Sequence, residues 1–200
     1  MEVNTYLVYD QGANFALLVD PAEESQTLLN RIRELDLKDI RIILTHGHAD
    51  HIYGVDFFKK QTGAEVSISE ADAPMLLDAD LNLSSFIGES LVLEPADRHI
   101  KDGEKIELGN HIGVFKNIPG HSPGGMILVF DEMVISGDTL FAGSIGRSDF
   151  PGGDGKALVK AIKDQIFSLS DRLVLPGHGP ETKISDEKTS NPFFGTLFNV

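Results

Sequence analysis

Apolar positions along the chain fall into short runs separated by polar and glycine-rich stretches. Residues 3–9 and 13–20 read as two strands around a turn at Gln11-Gly12, and Asp20-Pro21 ends the second. Leu28, Leu29, Ile32 and Leu35 recur at helical spacing across 24–35. The β-branched run at 40–45 reads as a buried strand. Residues 51–61 read as a helix stopped by Gly63, 64–68 as a strand and 70–77 as a helix. Over 79–100 the apolar residues are scattered among Ser, Asn and Gly. That predicts a long loop with one helical turn, a candidate substrate-covering segment. Strands then dominate, at 105–108, 112–118, 126–130 and 133–136. A glycine-rich loop follows over 138–153, an amphipathic helix over 156–169 and a final strand over 172–175. Two strand-rich halves predict two sheets with helices outside, a layered α/β arrangement. No Pro- or Gly-rich linker separates them, so residues 1–200 are expected to form a single domain.

Composition narrows the chemistry. The 200 residues are 41% hydrophobic, which excludes a disordered or collagen-like chain. Cysteine is absent, which excludes a thiol nucleophile, a thiolate metal site, an iron–sulfur cluster and a disulfide scaffold. The formal net charge of −14 argues against a nucleic-acid partner. No apolar run is long enough to cross a membrane, and residues 1–10 lack the pattern of a signal peptide. The expectation is a soluble, cytoplasmic protein without a membrane partner.

Histidine is scarce, with seven in the chain, yet three fall in Thr45-His46-Gly47-His48-Ala49-Asp50-His51, directly after a predicted strand. Imidazole and carboxylate suit zinc, iron or manganese in a catalytic rather than a structural site. The bland alternative is a polar loop in which Asp50 caps the next helix. Three further segments each follow a strand: Pro119-Gly120-His121-Ser122-Pro123, Gly137-Asp138-Thr139-Leu140-Phe141 and Pro176-Gly177-His178-Gly179-Pro180. Read singly, each is an ordinary turn. Together they bring His46, His48, His51, His121, His178, Asp50 and Asp138 to strand ends, where α/β folds build sites. One tetrahedral ion cannot use seven ligands, but two divalent ions sharing a carboxylate can. His99 and His111 stand outside any motif and read as surface residues.

The set H-x-H-x-D-H, then His, Asp and His, resembles the metallo-β-lactamase superfamily from about residue 3 to 180. The stretch Gly137-Asp138-Thr139-Leu140-Phe141 through Gly146-Arg147-Ser148-Asp149-Phe150-Pro151-Gly152-Gly153 is similar to the short bacterial glyoxalase II-like hydroxyacylglutathione hydrolases, as are Pro176–Pro180 and Asn191-Pro192-Phe193. The resemblance implies an αββα four-layer sandwich with the metal site at one edge of the sheets. It implies that His46, His48 and His121 hold one metal, that Asp50, His51 and His178 hold a second, and that Asp138 bridges them. Zinc is the expected metal; iron and manganese suit the same ligands. The implied activity is hydrolysis of a small-molecule thioester, S-D-lactoylglutathione above all, by attack of a metal-bridging hydroxide with Asp50 and Asp138 as catalytic carboxylates. A departure is that 22 residues follow His178 here, so no counterpart of the C-terminal helical region of the longer enzymes is expected.

A thioester suits such a site because its thiol leaving group has a pKa of about 8.5 and needs no general acid. Arg147 is the candidate clamp for a substrate carboxylate, with pairing to Asp149 or Asp154 as the alternative. Tyr53 is a second candidate substrate contact. Phe86, Phe141 and Phe150 are candidate pocket residues, with core packing the expected role. The rival readings are a persulfide dioxygenase with a single iron on His46, His121 and Asp138, a lactonase with a more apolar pocket, and a metal-binding regulatory domain.

Overall fold

Period-two alternation decides the architecture. In β2 (Phe15–Val19), Ala16 and Leu18 join one apolar cluster while Leu17 and Val19 join another. In β8 (Met126–Val129), Met126 and Leu128 join that second cluster while Ile127 and Val129 join a third. Strands that are apolar on both faces must be covered on both. The middle cluster lies between two sheets and the outer two lie under helices, so the chain stacks as the expected αββα sandwich.

The computed structural model describes residues 2–10 and 15–195. The predicted turn at Gln11-Gly12 and the strand start at 13–14 lie outside the described residues. The first sheet runs β1 (Tyr6–Tyr9), β2, β3 (Asp39–Ile43), β4 (Glu65–Ser69), β5 (Arg98–Ile100); β1 is antiparallel to β2 and the rest are parallel. The second contains β6 (Lys105–Leu108), β7 (His111–Asn117), β8 and β9 (Met133–Gly137) as antiparallel neighbours. A separate ribbon pairs β10 (Leu140–Phe141) with β11 (Ser144–Ile145). β12 (Leu173–Pro176) then joins the second sheet parallel to β9, and β13 (Thr182–Lys183) closes its edge.

Helices α1 (Gln26–Glu34), α2 (Ala49–Ile52) and α3 (Val55–Thr62) cover the first sheet, with Leu29, Ile32, Ile52 and Phe58 in its outer cluster. Ser25 caps α1 by accepting from the Leu28 amide. Helices α4 (Gly155–Ala161) and α5 (Ile184–Ser190) cover the second sheet through Leu158 and Ile184.

Several elements differ from the sequence expectation. The helix expected over 51–61 is broken into α2 and α3 at Gly54, whose amide donates to Pro21 O at 2.7 Å and where a Cβ would collide with the Glu23 carbonyl. The helix expected over 70–77 is a 3-10 turn, Ala73–Leu77, with a proline in its first turn. The helix expected over 156–169 leaves α geometry after Ala161 and continues as a π turn, Ile162–Ile166. The strand over 172–175 is not the last element, because β13 and α5 follow it. The long loop 79–100 holds the 3-10 turn Ser84–Ile87, as expected, and also β5.

Candidate metal centre

The ligand-type residues follow the C-terminal ends of β3, β7, β9 and β12, and the fold gathers them at one place. His46 Nε2 lies 3.2 Å from His121 Nε2, which lies 2.9 Å from His48 Nδ1. Asp50, His51 and His178 form a second group whose ligand atoms lie within 4.8 Å of one another. Asp138 stands between the two. Its Oδ1 is 3.3 Å from His51 Nε2, and its Oδ2 is 3.4 Å from His178 Nε2 and 3.6 Å from His121 Nε2. All seven residues singled out in the sequence therefore meet. His99 and His111 are exposed.

Four of the five imidazoles have their outward nitrogen tied to oxygen. His46 Nδ1 is 3.1 Å from Thr45 Oγ1, which itself donates to Asp20 Oδ2 at 2.6 Å. His51 Nδ1 is 3.0 Å from Asp20 Oδ2, His121 Nδ1 is 2.7 Å from the Arg147 carbonyl, and His178 Nδ1 is 2.8 Å from the Glu2 carbonyl. Each outward nitrogen is thereby an N–H donor, so that on a neutral ring the inward Nε2 carries the lone pair and turns it on the cluster. Lone pairs about 3 Å apart repel unless a cation lies among them. His48 Nε2, His51 Nε2 and Asp138 Oδ1 are also buried without a hydrogen-bond partner. The donor set fits divalent ions on both groups.

The electrostatics divide the two groups. Burial pushes His46 well below the ordinary histidine value, lowers His48 to about 3 and lowers His121, so this triad is neutral and ready to ligate. Burial also opposes charge on His51, yet the carboxylates of Asp138 and Asp20 beside it lift it well above the ordinary value. His178 is raised to about 10 by Asp138 and then Asp50. Burial works to raise Asp138, but His178 and His51 hold it well below the carboxylate range.

Sequence reading missed two buried carboxylates. Asp20, 2% exposed, accepts from the Thr45 amide, the Thr45 hydroxyl and His51, and so orients two of the imidazoles. Asp72, fully buried, accepts from Ser122 Oγ and the Gly124 amide, both at 2.6 Å. In sequence both look like ordinary strand-end or turn aspartates; the one signal at Asp20 is its place before a proline. Gly177 is also required: a Cβ there would collide with Asp138 Oδ1 and the His51 ring.

A cavity of about 610 Å³ opens beside the centre, with Phe141 and Phe150 among its lining residues. Phe86 does not pack in a core, being 72% exposed. Arg147 lines the cavity but holds Asp149 bidentately at 3.0 and 2.9 Å, with its guanidinium 4.2 Å over the Phe150 ring. Tyr53 lines the cavity with its hydroxyl bonded to Glu89. No helix among the described residues is long and apolar enough to cross a membrane.

A model of the metallo-beta-lactamase superfamily matches residues 1–178. The chain is 36% identical over 198 residues to the probable metallo-hydrolase M6_Spy0554 of Streptococcus pyogenes serotype M6, covering 94% of this chain and 84% of that protein. It is 34% identical over 202 residues to the hydroxyacylglutathione hydrolase GloC of Haemophilus influenzae, covering 96% and 93%. Among solved structures, TTHA1623 in a di-iron-bound form matches with a TM-score of 0.83 and 34% identity, covering 96% of this chain and 95% of that one. Family model, relatives, sandwich and ligand geometry agree: the chain belongs to the metallo-β-lactamase superfamily.

Proposed function

We propose that this metallo-hydrolase is a cytoplasmic, single-domain thioester hydrolase. His46, His48 and His121 would hold one divalent ion, Asp50, His51 and His178 a second, and Asp138 would bridge, with zinc as the metal. The observation that carries the reading is the convergence of inward lone pairs from His46, His48 and His121 beside a second triad, with Asp138 between. Bound there, the ions would supply Lewis acidity toward a carbonyl oxygen and lower the pKa of a water to about 7. Asp50, half exposed at the cavity, would accept a hydrogen bond from the attacking water and align it. Asp20, through Thr45 and His51, keeps the imidazoles turned inward throughout.

The leaving group favours a thioester. Outside the candidate ligands, the ionisable side chains lining the cavity are Tyr53 and Arg147. Burial and then the Glu89 carboxylate push the Tyr53 hydroxyl up to about 12, which makes it a poor acid. A thiolate leaves without one. Similarity to GloC supports S-D-lactoylglutathione as the first substrate to try. The test is loss of thioester absorbance with metal-replete protein, before and after chelation. Chelator-sensitive turnover supports the reading. A metal-replete protein that cleaves neither this nor an uncharged thioester overturns it.

A further inference from the structure

We infer that the cavity beside the centre is an acyl-chain pocket, that the preferred substrates are thioesters of apolar acyl groups longer than lactoyl, and that Leu83 and Ile87 set the acyl preference. This rests on the thioester reading and names its substrate class. Leu83, Ile87, Phe141, Ile145, Phe150 and Pro180 line the cavity. Its polar side chains beyond the candidate ligands are largely committed elsewhere. Arg147 grips Asp149, Tyr53 bonds Glu89, and Asn82 donates to the Met75 and Leu91 carbonyls at 3.0 and 2.8 Å. Little is left to bind a polar acyl group, whereas apolar surface is abundant, as in pockets that bind by burial.

The wall is preformed. The Asn82 carbonyl accepts from the Ala49 amide at 2.8 Å, and its side-chain oxygen accepts from the Ser84 amide at 3.0 Å. The turn Ser84–Ile87 is thereby fastened to the start of α2, the helix that carries Asp50 and His51. Leu83 sits at φ 71°, a backbone conformation that glycine adopts freely and leucine does not. A strained leucine at the cavity wall gives this position one asset, its side chain. Beside it Ile87, which lines the cavity, is 66% exposed, and its chain neighbour Phe86 is 72% exposed.

The experiment uses metal-loaded protein and S-acetyl-, S-butanoyl- and S-hexanoyl-N-acetylcysteamine, which share one uncharged thiol and differ only in acyl length. The expected result is kcat/KM rising roughly three- to four-fold per added methylene. Leu83→Gly is compatible with the backbone there and removes the wall; Ile87→Ser alters an exposed side chain. Each is expected to flatten the rise to roughly two-fold or less per methylene, a change of slope that general loss of activity does not produce. Flat or falling dependence in the native protein, with the acetyl thioester still cleaved, overturns the acyl-pocket inference and leaves the thioester reading intact. An unchanged slope in both variants also overturns it. If metal-loaded protein cleaves none of the three and does not cleave S-D-lactoylglutathione either, the thioester reading itself is overturned.

Discussion

Asp72 and Ser122 stand 50 positions apart in the chain, and Ser122 Oγ donates to Asp72 Oδ2 at 2.6 Å, both residues fully buried. The Gly124 amide donates to the other carboxylate oxygen, and the Gly47 amide is also directed at this carboxylate. One side chain therefore braces the loop of His121 and the loop of His46 and His48. Asp72→Ala leaves these donors buried without an acceptor. It is expected to cost about 1–3 kcal/mol in urea denaturation and to weaken zinc binding roughly 10- to 100-fold in competition with a chromogenic chelator.

Asp138 reaches both groups of ligands, so its removal should affect both. Asp138→Ala, like His121→Ala, is expected to lower bound metal below two equivalents by elemental analysis. Thioester kcat/KM should fall by at least roughly 100-fold, more than the loss of a supporting residue brings. Full activity in either variant would refute the two-ion assignment.

Metal should stabilise the fold by mass action, because the triads exist only in the folded chain. At a hundred-fold excess of zinc over its Kd, the gain over chelator-treated protein is expected to be about 2.7 kcal/mol. Thermal unfolding at several zinc concentrations measures it. A midpoint independent of zinc would count against both sites.

Asp97 supplies a pH prediction away from the centre. Burial works to raise its carboxyl, but the Val66 amide and the Lys59 ammonium, each at 2.9 Å, hold it below the usual carboxylate range. A depressed folded value means that this stabilisation is present above pH of about 4 and lost as pH falls through the folded value. Asp97→Asn should therefore be less stable than the native protein at pH 7 and lose less on acidification. Urea midpoints across that range test it.

Gly54 separates α2 from α3 because the Glu23 carbonyl occupies the place of a side chain. Gly54→Ala is expected to cost about 1–3 kcal/mol by overpacking. Helix propensity alone predicts the opposite sign, so thermal unfolding distinguishes the two.

What the sequence made legible follows from how each signal arises. The seven candidate ligands stood out because imidazoles are rare in this chain and clustered after apolar runs. β2 and β8 were legible as strands, but which neighbour each face meets is a tertiary property. β5 escaped notice because only Ile100 of its three residues is buried; pairing with β4 makes it a strand. α5 is polar apart from Ile184 and earns its place by packing on the second sheet. The break at Gly54 depends on a carbonyl 31 positions earlier, which no local pattern encodes. Asp20 and Asp72 were hidden for the same reason: their partners lie far along the chain.

His178 takes its orientation from the Glu2 carbonyl, and Asn4 fastens the same turn through the Pro176 and Gly179 carbonyls, across separations of 172 to 176 positions. During synthesis the segment around Asn4 must therefore wait for the His178 turn, roughly 10–30 s at ordinary rates of elongation. The triad of His46, His48 and His121 can close earlier than the triad that includes His178. On the two-ion proposal, metal acquisition is expected to be ordered in time, with the second ion taken up only once the two distant stretches of chain have met.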